Sequence, residues 1–377
     1  MAVVPLAPPI TPELAKKIAL GERLLSWYQS HKRDLPWRRT LAGSYGVWIS
    51  EIMLQQTTVA AVIPFYERWM ERFPTLSSLA EAPVDDVLRL WAGLGYYARA
   101  RNLHRTAQIV TERHGGVLPE GPKEILALPG IGRYTAGAIL SIAYNREEPI
   151  LDTNVIRVLS RVYEVTGDPK KSAHTQSVLW DLARAVIPEG HASDFNQAMM
   201  ELGALVCTPV APKCANCPLS ALCAANLTGD QERYPEIDKT RKWKDDEDVS
   251  IALQNHRGDF LVVQRPADDP LWGGLWELPR ARRRPDETLE QCAARAAFEA
   301  AALTIPKAEL FGNLKHVVGN RRITLHGYHA QIAGAKPASG SGEWKKLEDF
   351  SGIAMATPQV RLVTKLKLSL VQGSLDF

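Results

Sequence analysis

The chain has 377 residues, 45% hydrophobic and 23% charged, with 10 Trp and a formal net charge of +3 at pH 7. This is an ordinary globular composition, long enough for two or three domains with real cores. The charge is too small to mark a nucleic-acid binder by itself, so any grip on DNA must be local; no stretch approaches the roughly 18 apolar residues of a membrane span.

Residues 1–12 contain prolines at 5, 8, 9 and 12 and lack a basic stretch, so they read as a flexible leader and not as a signal peptide. A soluble, cytoplasmic protein is expected. From Thr11 to about Ala225 the periodicity is helical, with amphipathic segments such as 13–30, 60–73 and 83–92 separated by Pro or Gly breaks. Within this region Leu35-Pro36-Trp37-Arg38 precedes Trp48-Ile49-Ser50-Glu51-Ile52-Met53-Leu54-Gln55-Gln56-Thr57. A carboxyl among such apolar neighbours has its pKa raised by desolvation and can hold a proton near neutrality. The competing reading of Glu51 is an ordinary glutamate on an exposed helical stripe.

Gly93-Leu94-Gly95-Tyr96-Tyr97-Ala98-Arg99-Ala100-Arg101 combines paired glycines, aromatics and spaced arginines, which suits stacking on bases and contact with phosphates. A glycine-rich turn with solvated arginines accounts for the same composition. The stretch Leu126–Arg157 is the most informative. A short helix over 122–128 ends at Leu128-Pro129-Gly130-Ile131-Gly132, and a second helix starts at Arg133, with small residues at 136–138 for close packing. Unpaired N–H groups at such a turn suit a phosphate. Asp152 follows the apolar Pro149-Ile150-Leu151 and is read either as a semi-buried functional carboxylate or as the N-cap of a helix over 155–162.

Four of the five cysteines, Cys207, Cys214, Cys217 and Cys223, form C-x6-C-x2-C-x5-C, whereas Cys292 stands in an apolar helical pattern as a small core residue. Without a secretion signal, clustered thiols favour a metal over disulfides. Only one C-x2-C pair is present, and the uneven loop fits a four-thiolate iron–sulfur cluster, with zinc as the alternative. Residues 226–248 are polar and charged, a linker. Beyond them alternation predicts strands at 250–253, 260–264, 310–318 and 322–330, a helix over 288–301 and a final helix over 358–371. The expected organisation is a leader (1–12), an all-α region (13–225), a linker, an α+β domain (249–371) and a tail (372–377).

LPGIGRYTAGAI with LDTNV, WISEIMLQQT, GLGYYARARNL and ELGALVC with its cysteine loop together resemble the helix-hairpin-helix glycosylases of the endonuclease III superfamily, and more narrowly the MutY-type adenine DNA glycosylases. GLWELP at 274–279 is similar to their Nudix-like C-terminal module. The resemblance covers nearly the whole chain. It implies an all-α helix-hairpin-helix core of six-helix barrel and iron–sulfur subdomain, a 4Fe-4S cluster on Cys207, Cys214, Cys217 and Cys223, and a Nudix-like domain that recognises 8-oxoguanine. It implies that Glu51 protonates adenine and that Asp152 stabilises the cationic sugar, a division of labour also found in glycoside hydrolysis. Tyr134 and Asn154 would support them, and Trp37, Arg38 and Gln197 would contact the flipped adenine. Gln56 and Tyr96 match wedge residues that hold the duplex open, while Leu128, Gly130, Gly132, Arg99 and Arg101 fall to DNA contact.

The related lyases place a Schiff-base lysine where this chain has Tyr134, so hydrolysis without strand cleavage is expected. The family's lesion-reading loop, Phe-Ser-His, is Leu314-Lys315-His316 here, which puts the discrimination of 8-oxoguanine from guanine in doubt. The helix Cys292–Glu299 lacks the acidic cluster of a working Nudix box, so nucleotide hydrolysis is not expected. The last six residues, with Gln372, Leu375 and Phe377, resemble the peptide by which bacterial repair proteins dock on the replication sliding clamp. The expected partner is double-stranded DNA with A opposite 8-oxoguanine or G, bound by a nucleoid-associated monomer. The alternatives are an endonuclease III-like pyrimidine glycosylase/lyase and a non-catalytic lesion-binding protein.

Overall fold

The structure, a computed structural model, describes residues 12–39, 43–238, 240, 242–269, 271–332 and 342–373. Most of the leader and the clamp-motif residues Leu375 and Phe377 lie outside these. The chain divides into two compact units: Met1–Ala80 with Arg105–Lys239, and Glu81–His104 with Thr240–Phe377. The segment 81–104 thus groups with the C-terminal part of the chain.

Among the described residues the first unit is helical throughout. The helix Gly43–Leu54 is apolar on all sides, and Trp48 to Met53 are buried without interruption. A helix of this kind belongs in a core and has no exposed stripe. One core cluster joins Leu20, Leu24 and Tyr28 of the helix Pro12–His31 to Val158 and Leu159 of Thr153–Tyr163 and to Phe195, Met199 and Leu202 of Ala192–Leu205. The hairpin consists of Pro122–Leu126, the turn at Gly130 (φ 76°), and Arg133–Ala138, which widens into a π turn at Ile139–Ala143. The close neighbour of its small residues is backbone: a Cβ added to Gly137 would lie 2.2 Å from the Pro149 carbonyl oxygen. That approach seats the strand-like Pro149-Ile150-Leu151 and fixes where the next residue, Asp152, begins its helix.

The second unit is built on a seven-stranded sheet: β1 (Lys244–Gln254), β2 (Phe260–Gln264), β3 (Trp276–Glu277), β4 (Arg280–Arg282), β5 (Glu309–Val318), β6 (Arg321–Gln331) and β7 (Gly342–Lys345). The order is β3-β2-β1-β6-β5, with β4 on β1 and β7 on β2; only β1 and β6 are parallel among these pairs. Val249, Ile251 and Leu253 face the helix Leu289–Ala301, whose Cys292, Ala293 and Ala296 are buried against them. Ala252 and Leu325 face the helix Thr357–Gly373 through Leu362, Val363 and Leu366. Thr288 and Gln291 form the capping box that starts the first of these helices.

Two sequence expectations change here. β1 starts at Lys244, inside the stretch read as linker, because its acidic end pairs with β6 and its charges are matched: Asp245 with Arg322 at 2.6 Å, Asp246 with Arg321 at 2.5 Å, and Asp248 with Arg280. The loop that the resemblance implied at Leu314, Lys315 and His316 is absent, whereas the strand predicted over 310–318 is present: the three residues lie inside β5, paired with Leu325, Thr324 and Ile323 of β6. Their alternation buries Leu314, exposes Lys315 and half-buries His316.

Candidate active site

Glu51 lies on the buried helix Gly43–Leu54 and is 6% exposed. Its Oε2 accepts a hydrogen bond from the Tyr134 hydroxyl at 2.6 Å. Burial raises its pKa from 4.5 to about 7; the Tyr134 hydrogen bond opposes the rise, the Asp152 charge adds to it and Arg38 opposes it. The carboxyl can therefore hold a proton near neutrality and release it within one pH unit. The surrounding helix settles the two sequence readings in favour of the sheltered acid.

Asp152 is the N-cap of its helix. Its Oδ1 accepts from the Val155 amide at 2.7 Å and its Oδ2 from Asn154 Nδ2 at 2.7 Å. Burial raises its pKa, while those donors and the charge of Arg157 hold the ionised form. Asn154 is fixed in turn by Arg157, whose Nη2 donates to Asn154 Oδ1 at 2.9 Å and to the Gly203 carbonyl at 2.7 Å. Gly203 permits the contact, since a Cβ there would meet Asn154 Cβ at 2.5 Å. Two carboxyls thus share one site in different settings.

Both line a cleft of about 1110 Å³ together with Trp37, Arg38, Gln56, Tyr134, Asn154 and Gln197. Trp37 meets Tyr66 edge-on at 5.5 Å. Arg38 Nε donates to Gln197 Oε1 at 3.0 Å, and its guanidinium lies 5.6 Å over the Tyr28 ring. Sequence reasoning missed Glu201, a buried wall residue that binds Arg33 at 2.8 Å and Arg38 at 3.4 Å. Burial pushes its pKa up, but the Arg33 hydrogen bonds and both arginine charges outweigh this and leave it below the ordinary value. The signal was helical spacing: Ser193, Gln197, Glu201 and Ala204 form one face of Ala192–Leu205.

The remaining candidates, Gln56 of the cleft wall apart, lie elsewhere. Leu128 is buried in the hairpin, and Gly132 caps the helix Arg133–Ala138 with no side chain of its own to satisfy the first amides. Gln56 (φ 61°) and Tyr96 (φ 48°) are both in the left-handed region, strained for side chains of their size. Tyr96 is 47% exposed. Arg99 braces its own loop: it donates to the Leu94 carbonyl at 3.0 Å and lies over Trp91 and Tyr96, and burial lowers its pKa to about 10. Arg101 donates to the Gly273 carbonyl within the second unit. In that unit both His316 ring nitrogens are buried without a hydrogen-bond partner among the described residues. Burial, then the Arg280 charge, pushes its pKa down to about 4, so the ring is neutral. Glu299 of the helix Leu289–Ala301 and Glu287 just before it are both held by Arg295, at 3.1 and 2.8 Å.

Cys207, Cys214, Cys217 and Cys223 form no disulfide; Cys223 is buried in the first unit's core and Cys207 and Cys217 pack against it. Burial raises the pKa of Cys217 to about 11 and those of Cys214 and Cys223 in the same direction, and Cys207 adds to each. Arg161 Nη1 donates to Cys207 Sγ at 3.3 Å, and Arg157 Nε to the Cys207 carbonyl at 2.6 Å. Among the described residues no group of three or more His, Cys, Asp or Glu is placed to hold a metal ion. The donor chemistry nevertheless fits a sulfur-ligated group: four thiols on one loop, with guanidinium charge beside them to offset thiolates.

The hairpin, the two carboxyls and the sheet domain define a class. Residues 49–184 match the HhH-GPD superfamily of base excision DNA repair proteins, and residues 249–365 match the NUDIX domain. The chain is 36% identical to the adenine DNA glycosylase of Rattus norvegicus, covering 92% of this chain and 77% of that protein. It is 32% identical to the adenine DNA glycosylase of Buchnera aphidicola subsp. Baizongia pistaciae, over 92% and 96%. Among solved structures, a thermostable thymine-DNA glycosylase superposes with a TM-score of 0.53 at 29% identity, over 58% of this chain and all of that one. The chain belongs to the adenine DNA glycosylases. It is a DNA repair enzyme with a helix-hairpin-helix core and a Nudix-like domain, and no helix among the described residues is long and apolar enough to cross a membrane.

Proposed function

We propose that the enzyme hydrolyses the N-glycosidic bond of adenine paired with 8-oxoguanine or guanine, leaving the strand intact. The observation that carries this reading is the Glu51 carboxyl, sheltered, hydrogen-bonded to Tyr134 and raised to about 7. Its proton goes to a ring nitrogen of an adenine flipped into the cleft, which becomes a neutral leaving group. Asp152, held by the Val155 amide and Asn154, stabilises the positive charge that develops on the sugar, and water completes the hydrolysis. Trp37, Arg38 and Gln197 hold the base. Gln56 and Tyr96, already strained, serve as wedges, and the hairpin with Leu128, Gly130 and Gly132 takes a phosphate.

Cys207, Cys214, Cys217 and Cys223 would hold a 4Fe-4S cluster, which braces the loop that Arg157 and Arg161 grip. Exposed Lys315 and half-buried His316 of β5 would read the opposite base. The terminal peptide from Gln372 would engage the sliding clamp, with action at the nucleoid. One gel tests the core claim: a duplex with A opposite 8-oxoguanine is incubated with enzyme and examined with and without hot alkali. Breaks only after alkali are expected, and Glu51→Gln should abolish them. Breaks without alkali mean a lyase; no breaks with the wild-type protein mean a lesion binder.

A further inference from the structure

We propose that Glu201 is a positioning residue that sets the charge around the Glu51 acid by fixing and half-neutralising Arg38. This rests on the reading of Glu51 as the proton donor. Glu201 is 1% exposed in the interior of the helix Ala192–Leu205. Its Oε1 accepts from the Arg33 amide at 2.9 Å and from Arg33 Nε at 2.8 Å, and its Oε2 from Arg33 Nη2 at 2.8 Å. Arg38 reaches the same carboxylate less closely, at 3.5 and 3.4 Å. Arg38 is held further by the Arg33 carbonyl at 2.8 Å and by Gln197 Oε1 at 3.0 Å. Its orientation is fully determined, and its charge bears on Glu51.

One carboxylate therefore faces two guanidiniums, so this trio keeps a net single positive charge, beside the separate Arg39–Asp34 ion pair and Lys32 and Asp194 of the same cleft. A buried charge interacts over several ångströms with little screening. The other groups acting on Glu51 are Tyr134 from Arg133–Ala138 and Asp152 at the head of Thr153–Tyr163. The helix Val59–Arg72 and the turn Ile139–Ala143, also packed on the Glu51 helix, contribute Val59, Ile142 and Ala143 to the cleft, none of which titrates, and Pro36–Arg39 adds Arg39, whose charge is paired with Asp34. The Arg33–Glu201–Arg38 set is thus the adjustable charge of the site. Without the carboxylate, Arg38 would stabilise ionised Glu51 and the acid would lose its proton at lower pH. Without Arg33, the same carboxylate would neutralise Arg38 and the acid would keep its proton to higher pH.

The experiment is the pH dependence of single-turnover adenine release from A opposite 8-oxoguanine. Glu201→Gln should move the alkaline fall of the rate to lower pH, with about a tenfold loss above it for each unit moved. Arg33→Met should move it to higher pH, and Glu201→Asp should leave it in place. Opposite displacements would not arise from a packing defect, which lowers the rate at every pH. The proposal is overturned if the fall stays put in both variants or moves the same way in both; if Glu201→Gln does not fold, the presence or absence of the upward displacement in Arg33→Met decides. Full activity of Glu51→Gln would instead overturn the reading of the acid itself.

Discussion

Burying an acid that is ionised at neutral pH costs stability, and the Glu51 site makes that cost measurable. Folding raises the Glu51 pKa from 4.5 to about 7. A folded-state carboxyl with a raised pKa contributes most favourably below pH 4.5, and that contribution is lost as pH rises through about 7. At about 1.36 kcal/mol per pH unit, the loss reaches roughly 3 kcal/mol above pH 8. Glu51→Gln removes the titration while keeping an acceptor for Tyr134. The variant should gain on the wild type as pH rises, by about 6–12 °C in Tm at pH 8.5 for a domain of this size, with the gain shrinking as pH falls toward 4.5. Thermal unfolding of both proteins by circular dichroism from pH 5 to 9 measures this. A Tm difference that is constant across that range refutes the reasoning.

Gly203→Ala should displace Asn154, because the added Cβ meets Asn154 Cβ at 2.5 Å; a loss of about 1–3 kcal/mol in urea unfolding is expected, with slower adenine release. Cys217→Ser should lower the bound iron per chain and reduce the Tm of the first unit, checked by iron analysis beside a melting curve. Lys315→Ser should improve selectivity for 8-oxoguanine over guanine opposite adenine, read as the ratio of single-turnover rates on the two duplexes; an unchanged ratio would show that β5 does not read the base through this position.

Local chemistry was legible where it was written in consecutive residues. The apolar run around Glu51 offered shelter as one of two readings, and the Pro-Gly turn announced the hairpin. Asp152 was legible as a cap, because an aspartate before an apolar helix start suits that position, and the cap lies in the cleft wall. Pairings distant in the chain were not legible: Glu201 meets Arg33 across 168 residues, and nothing near either residue signals the ion pair. β1 was truncated in the sequence reading because its acidic start resembles a linker until the arginines of β4 and β6 are brought beside it. The lesion-reading residues looked like a loop by resemblance, yet Leu314-Lys315-His316 also alternates as a strand does, and pairing with β6 decides the matter.

The central claim is that one sheltered carboxyl supplies the proton that frees adenine. Its most direct measurement is the single-turnover rate of adenine release from pH 5 to 9 with the wild-type enzyme. A plateau that gives way above about 7 to a tenfold fall per pH unit is predicted; a rate that holds level to pH 9 would contradict the account.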